Sequence, residues 1–219
     1  MNHPPDVLFA DEHLLALNKP SGLLTEGGGD REDDLEQVAR RLTGKPCHAC
    51  HRLDRLTSGV VLLRKNNRHN AALAALFAEH RIRKLYWALV TGRWPAGLHK
   101  IETLIAPAGP GRWANVPAGG QPAVTTCRIH GRAPADTGTW LELLLKTGRT
   151  HQARLHCLHA GHPILGDPLY GDGAPADFFG LHARELRFRH PATAAELTVV
   201  APPPDNWSDV LTRCHKPAG

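Results

Sequence analysis

The stretch His51-Arg52-Leu53-Asp54-Arg55-Leu56-Thr57-Ser58-Gly59 sets one carboxylate, Asp54, between two arginines and closes on two hydroxyls and a glycine. Just beyond its start as a loop, Gly59-Val60-Val61-Leu62-Leu63 is a short apolar run of the kind that fills a buried strand. Before it, residues 46–49 are turn-like. The whole reads as an active-site loop joined to the end of a strand, a junction at which a rigid scaffold displays reactive groups. Two flanking guanidiniums favour the ionised form of Asp54, which makes it a candidate nucleophile or base. The plain alternative is a surface Asp in a salt-bridged turn.

The 219 residues are 42% hydrophobic, enough for one substantial core, and the expectation is a single domain over residues 1–219 with no additional N-terminal RNA-binding domain. Lys and Arg number 26 against 21 Asp and Glu, a net charge of +5 that suits a polyanionic partner without requiring one. No stretch approaches the ~20 apolar residues of a membrane span. The N-terminus has no basic segment leading into an apolar signal core, so a cytoplasmic protein is expected. Five cysteines without an export signal read as reduced thiols.

Along the chain, residues 7–18 read as two short strands around Asp11-Glu12-His13. Residues 33–43 read as an amphipathic helix with acids first and Arg40 and Arg41 late, closed by Gly44 and Pro46. Asn66 or Asn67 is the expected cap of a second helix reaching His80, followed by a strand over residues 85–91. Residues 95–122 are rich in Gly and Pro and read as an elaborated loop or hairpin holding one strand at residues 101–105. Strands are expected at residues 124–130 and 140–146, then a helix capped by Thr150 and ending at Ala160. A last strand pair at residues 181–188 and 196–200 precedes a short closing helix at residues 207–213. Many strands joined by short turns, with few helices between, predict an α+β chain built on a largely antiparallel sheet.

His51 to Gly59 resembles the catalytic signature HRLDxxTSG of RluA-type pseudouridine synthases, in which the Asp is the essential residue. The resemblance extends through Asn18-Lys19-Pro20-Ser21-Gly22-Leu23, Lys84-Leu85-Tyr86, Thr147-Gly148-Arg149-Thr150-His151-Gln152-Ala153-Arg154, residues 161–171 (GHPILGDPLYG) and Leu181-His182-Ala183. Six blocks occur in the family's order. The resemblance implies the pseudouridine synthase fold, a long mixed, mostly antiparallel sheet with a central cleft and a few flanking helices. It implies conversion of a uridine to pseudouridine in a stem-loop of tRNA, large-subunit rRNA or both, by a monomer that needs neither cofactor nor metal. It also implies the site roles: Asp54 begins the reaction, Tyr86 packs on the flipped base and takes part in the final proton removal, and Arg149 pairs with Asp54. Arg52 is assigned to the space the base vacates. Arg52, Arg55, Arg64, Lys65, Arg83, Lys84 and Arg154 are the candidate RNA contacts, with Arg31, Arg68 and Arg81 as further basic candidates.

Competing readings exist. Cys47-His48-Ala49-Cys50-His51 fits the CxxCH pattern of haem attachment, yet no axial-ligand block accompanies it, and a zinc site there lacks its second cysteine pair. His151, His156, His159 and His162 are not at the i, i+4 spacing of helical zinc ligands and read as polar surface or RNA-facing groups. The main functional alternative is a catalytically inactive RNA-binding or ribosome-assembly protein of the same fold. The presence of Asp54, Tyr86 and Arg149 together argues against it.

Overall fold

The apolar runs on either side of the Asp54 loop pair with each other. Strand β2 (Leu14–Lys19) lies antiparallel to the strand that follows the loop, β4 (Ser58–Arg64), with Leu15 opposite Leu63 and Asn18 opposite Val60. The structure, a computed structural model, describes residues 5–28, 33–171 and 177–215. It comprises two compact units, residues 1–84 with 183–203 and residues 85–182 with 204–219.

In the first unit β1 (Val7–Ala10) forms the expected hairpin with β2, its turn held by Asp11 Oδ1, which accepts from the His13 and Leu14 amides at 2.8 and 2.7 Å. The sheet continues from β4 to β10 (Leu181–Arg189), whose residues from Ala183 onward belong to this unit, and β11 (Glu196–Val200) pairs antiparallel with β10. Residues 46–49 are more than a turn, because β3 (His48–Ala49) joins the edge of β4 at Arg64 and Leu63. Both faces of β2 and β4 are buried, so their sequence reads as a continuous apolar run rather than an alternation. Leu14, Ala16, Val60 and Leu62 form one face and pack with Leu73 and Leu76 of α2 (Asn70–Ala78), Leu186, Phe188 and Val199. Burying each such leucine contributes roughly 2 kcal/mol.

Helix α1 (Leu35–Thr43) forms as its sequence predicts: Asp34 Oδ1 accepts from Gln37 N at 2.9 Å, and Gly44, left-handed at φ 70°, returns its amide to Arg40 O. Helix α2 is shorter than expected and has no side-chain cap. Asn66 instead turns the chain locally, its Oδ1 accepting from Arg68 N at 3.1 Å, a use of asparagine that competes with capping.

The second unit carries most of β5 (Arg83–Thr91) and the strand order β5-β9-β8-β6-β7, with β6 (Lys100–Pro107), β7 (Trp113–Val116), β8 (Gln121–Arg132) and β9 (Gly138–Leu145). The Gly- and Pro-rich region is thus a hairpin, β6 and β7, with β8 on the other edge of β6. Helix α3 (Gln152–His159) starts from His151 at φ 58° and has no side-chain cap, so Thr150 does not hold the role expected of it. Leu155 packs with Ile105, Ala123 and Tyr170. The chain closes with α4 (Ser208–Arg213), after which His215 exchanges backbone hydrogen bonds with Arg132 at 2.9 Å each way. Within the units β1–β2, β2–β4, β3–β4, β6–β7, β6–β8, β8–β9 and β10–β11 are all antiparallel.

Candidate active site

Asp54 opens a turn closed by Thr57 N on Asp54 O at 3.0 Å, and β4 begins at the next residue. The residues around it are held from one side by the segment that leaves β2. Thr25 Oγ1 donates to Leu53 O at 3.1 Å and accepts from Leu53 N at 3.2 Å. Gly22 N donates to Arg55 O at 2.9 Å, Arg55 Nε returns a bond to Gly22 O at 3.0 Å, and Ser21 Oγ donates to Leu56 O at 2.6 Å. The residues on both sides of Asp54 are therefore pinned through their main chain. This is what the Asn18-to-Leu23 block does in the fold.

Lys19 completes the clamp. Its side chain is fully buried, and Nζ donates to Pro20 O, Leu23 O and Arg55 O at 3.0, 2.7 and 2.9 Å. Burial pulls its pKa down to about 7, Asp54 opposes that with its negative charge, and Arg55 adds to the depression. The unfolded chain keeps its lysine protonated to about pH 10.4. Between about pH 7 and 10 the unfolded state therefore binds the extra proton, and the contribution of Lys19 to stability rises with pH. In Lys19→Met that slope disappears. The variant should lose about 1–3 kcal/mol at pH 7 for carbonyls left unpaired, and the deficit should widen by up to about 2 kcal/mol by pH 9. Urea unfolding at the two pH values measures both; a deficit that does not widen between them would mean that the folded protein does not depress Lys19.

The ends of the nine-residue motif are structural. His51 Nε2 accepts from Leu62 N at 3.1 Å and its ring lies 5.2 Å from Phe77. Burial, reinforced by the charge of Lys84, pulls His51 down to about 4, so it stays neutral and keeps its acceptor. Gly59 has φ 113°, and a Cβ there would stand 2.2 Å from Ala183 O, so β4 approaches β10 as only a glycine permits.

The expected basic contacts divide. Arg52 is exposed beside Asp54 and faces Glu26 at 3.6 Å, and Arg55 is exposed with Nε on Gly22 O. Arg64 and Lys65 are at the far end of β4, roughly 20 Å from Ser58 at the rise of a strand. There Arg64 bonds Asn67 and Lys65 bonds Asp11 O. Arg83 pairs with Glu185, Arg68 with Glu12 and Arg81 with Glu79. Lys84 is buried. Arg31 lies outside the described residues.

In the second unit Tyr86 is buried on β5. Arg149 stands between β9 and α3, with Nε donating to Pro122 O at 3.0 Å and its amide donating to Gln152 Oε1 at 3.0 Å. Arg154, expected to contact RNA, is buried and its Nε and Nη2 grip Asp167 at 2.8 and 2.7 Å. A carboxylate thirteen residues on satisfies that guanidinium, so its role is internal. His156 is likewise interior rather than surface or RNA-facing, between Thr125 Oγ1 at 2.8 Å and Thr103 Oγ1 at 3.0 Å. Burial first and His159 second pull it to about 4. Among the described residues no cluster of three or more His, Cys, Asp or Glu is arranged to hold a metal. Cys47 is buried against Thr43, and burial pushes the Cys50 thiol up to about 11. No described helix is long and apolar enough to cross a membrane.

The first unit offers one carboxylate in a backbone-pinned loop with exposed arginines at positions 52 and 55; the second, taken by itself, offers a buried tyrosine and an anchored arginine. Comparison with known proteins gives it a context. A sequence profile described as RNA pseudouridylate synthase matches residues 13–159. The chain is 35% identical over 211 residues to ribosomal large subunit pseudouridine synthase C of Buchnera aphidicola subsp. Schizaphis graminum, covering 90% of this chain and 67% of that one. It is 32% identical to tRNA pseudouridine synthase C of Vibrio parahaemolyticus, covering 95% and 94%. The solved structure of human RNA pseudouridylate synthase domain containing 1 superposes with a TM-score of 0.81 at 25% identity, covering 97% and 89%. That of human RNA pseudouridylate synthase domain containing 4 gives 0.78 at 26%, covering 97% and 94%. The fold is the pseudouridine synthase fold, and the chain belongs to the RNA pseudouridylate synthase family.

Proposed function

We propose that this protein isomerises a specific uridine in a structured stem-loop of tRNA or large-subunit rRNA, acting as a cytoplasmic monomer. The reaction breaks the bond from C1′ to N1 and makes one from C1′ to C5. N1 gains a proton and C5 loses one, so no atom is supplied or left over. Asp54 starts it, attacking sugar or base or removing a ribose proton. Tyr86 packs on the extruded base and is the candidate to take the C5 proton, and Arg149 pairs with Asp54 and orients it. Bringing a stacked uridine to a carboxylate requires flipping it out, at a cost of a few kcal/mol. Arg52, exposed beside Asp54, is suited to fill the space left in the stem, and Arg55 to contact phosphate.

The observation that carries this reading is the pinned loop: four residues of the 19–25 segment bond the main chain of Leu53, Arg55 and Leu56 around Asp54. A merely decorative surface Asp has no need of such fixing, whereas a reacting group held in one geometry gains rate by it. Relatives named for the ribosomal large subunit and for tRNA support both substrate classes. Mapping pseudouridine in total RNA from cells with and without the gene tests the proposal. One or a few positions in tRNA or large-subunit rRNA should be lost and then restored by the wild-type gene. An unchanged map would favour the non-catalytic RNA-binding alternative.

A further inference from the structure

Gln152, the first residue of α3, is 2% exposed and has every hydrogen-bonding position of its amide filled. Oε1 accepts from Thr147 Oγ1 at 2.7 Å and from Arg149 N at 3.0 Å. Nε2 donates to Val124 O at 3.0 Å and to Thr125 Oγ1 at 2.9 Å. Its own backbone N donates to Arg149 O at 3.1 Å, and Thr147 Oγ1 in turn accepts from Val124 N at 3.0 Å. Arg149 Nε reaches Pro122 O on the same strand, β8.

Residue 149 is therefore fixed at its amide, its carbonyl and its side-chain Nε, and two of those three fixings are made by Gln152. The oxygen end of the Gln152 amide faces the loop and the nitrogen end faces β8, so the side chain is a strut that transfers the rigidity of the strand to the loop. A helix start needs no such device; a serine or aspartate before it would satisfy the amides locally. We propose that Gln152 is a positioning residue for the isomerisation, acting through Arg149 by fixing where its guanidinium is presented. The inference rests on the reading that Arg149 acts on the reacting centre.

A strut and a mere staple between α3 and β8 differ in what they move. Loss of a staple lowers stability; loss of a strut lowers kcat at unchanged RNA affinity, because a displacement near 1 Å can cost about 100-fold. Gln152→Met keeps the length and buried volume and removes all four bonds. Gln152→Glu keeps an acceptor for Arg149 N and Thr147 Oγ1 and loses the donors to β8. The expected order of kcat is parent, Glu, then Met, with Gln152→Met down about 10- to 100-fold and the RNA dissociation constant within about threefold. Leu143→Val, a core change in the same unit, serves as the control for stability alone, and all assays are run well below each melting temperature.

Combined with Arg149→Lys, Gln152→Met should cost nothing further, since both act through one guanidinium. Multiplicative losses in the double variant would overturn the inference, as would parental kcat in Gln152→Met beside an impaired Arg149→Lys. Parental kcat in Arg149→Lys itself would sink the reading of Arg149 and this inference with it. If Gln152→Met does not fold, Gln152→Glu against the Leu143→Val control decides the matter.

Discussion

Asp54→Asn protein should fold and bind RNA much as the parent does and form pseudouridine on the order of 10³-fold more slowly or worse. An amide is neither a base nor a nucleophile of useful strength, so the first step has no agent. The loop should nevertheless keep its place, because the bonds to Leu53, Arg55, Leu56 and the Asp54 carbonyl are main-chain bonds that the substitution leaves intact. A second signature separates a direct loss of chemistry from a general disturbance. The negative charge of Asp54 is what opposes the depression of Lys19, so without it the Lys19 ammonium should titrate below its present value of about 7. The pH range over which stability rises should then begin lower in Asp54→Asn than in the parent, with the same urea midpoint series serving as the measurement. Near-parental turnover in a well-folded Asp54→Asn protein would remove Asp54 from the reaction.

Much of this was legible from residue pattern. The apolar run after Asp54, the hairpin before it and the capped helix α1 each follow from local sequence, because their determinants lie within a few positions of one another. What stayed hidden depended on distant partners. The need for glycine at position 59 is set by Ala183, and the burial of Lys19 is made tolerable by a carbonyl of the loop it supports. Lys19 did leave a trace, as a lysine closing an otherwise largely apolar strand just before a proline. Gln152 left none beyond its place in the 147–154 block. Arg154 misled because a positive charge in a catalytic block looks like a phosphate contact until its carboxylate is located. The caps expected at Asn66 and Thr150 failed because both helices start without a side-chain cap. Strand β7 was missed because four residues between glycines and prolines give too short a pattern.

Arg154→Met should destabilise the protein by about 3–5 kcal/mol, the cost of leaving one member of a buried ion pair alone. At this chain length that is a melting temperature lower by roughly 6–20 °C. The side chains of Arg154 and Asp167 are 5% and 0% exposed, and two parallel bonds join them. Asp167 Oδ1 also accepts from Leu169 N and Tyr170 N at 2.9 and 3.1 Å, and the Arg154 guanidinium lies over the Tyr170 and Phe179 rings at 4.9 and 5.4 Å. Burial pushes the Asp167 carboxyl up, but the bonds and charge of Arg154, with the two amides, hold it below the usual range. Its stabilising contribution is thus present above the unfolded pKa of about 3.9 and is lost as pH falls through the folded value. Take the arginine away and burial prevails, so the folded carboxyl titrates above its unfolded counterpart and gains protons on acidification. The deficit of Arg154→Met should therefore be widest near pH 7 and shrink toward pH 4. Arg41 and Asp33 provide the contrast: two bonds of 2.9 and 2.8 Å, also a two-pronged grip though made end-on through both Nη atoms, but 57% exposure on both sides. Water replaces what Arg41→Met removes, so that variant should melt with the parent. Calorimetric melting of the two variants at pH 7 and 4.5 tests the pair together; equal and small losses at both sites would mean that Asp167 finds water or a new donor, and that the buried fork contributes no more than a surface one.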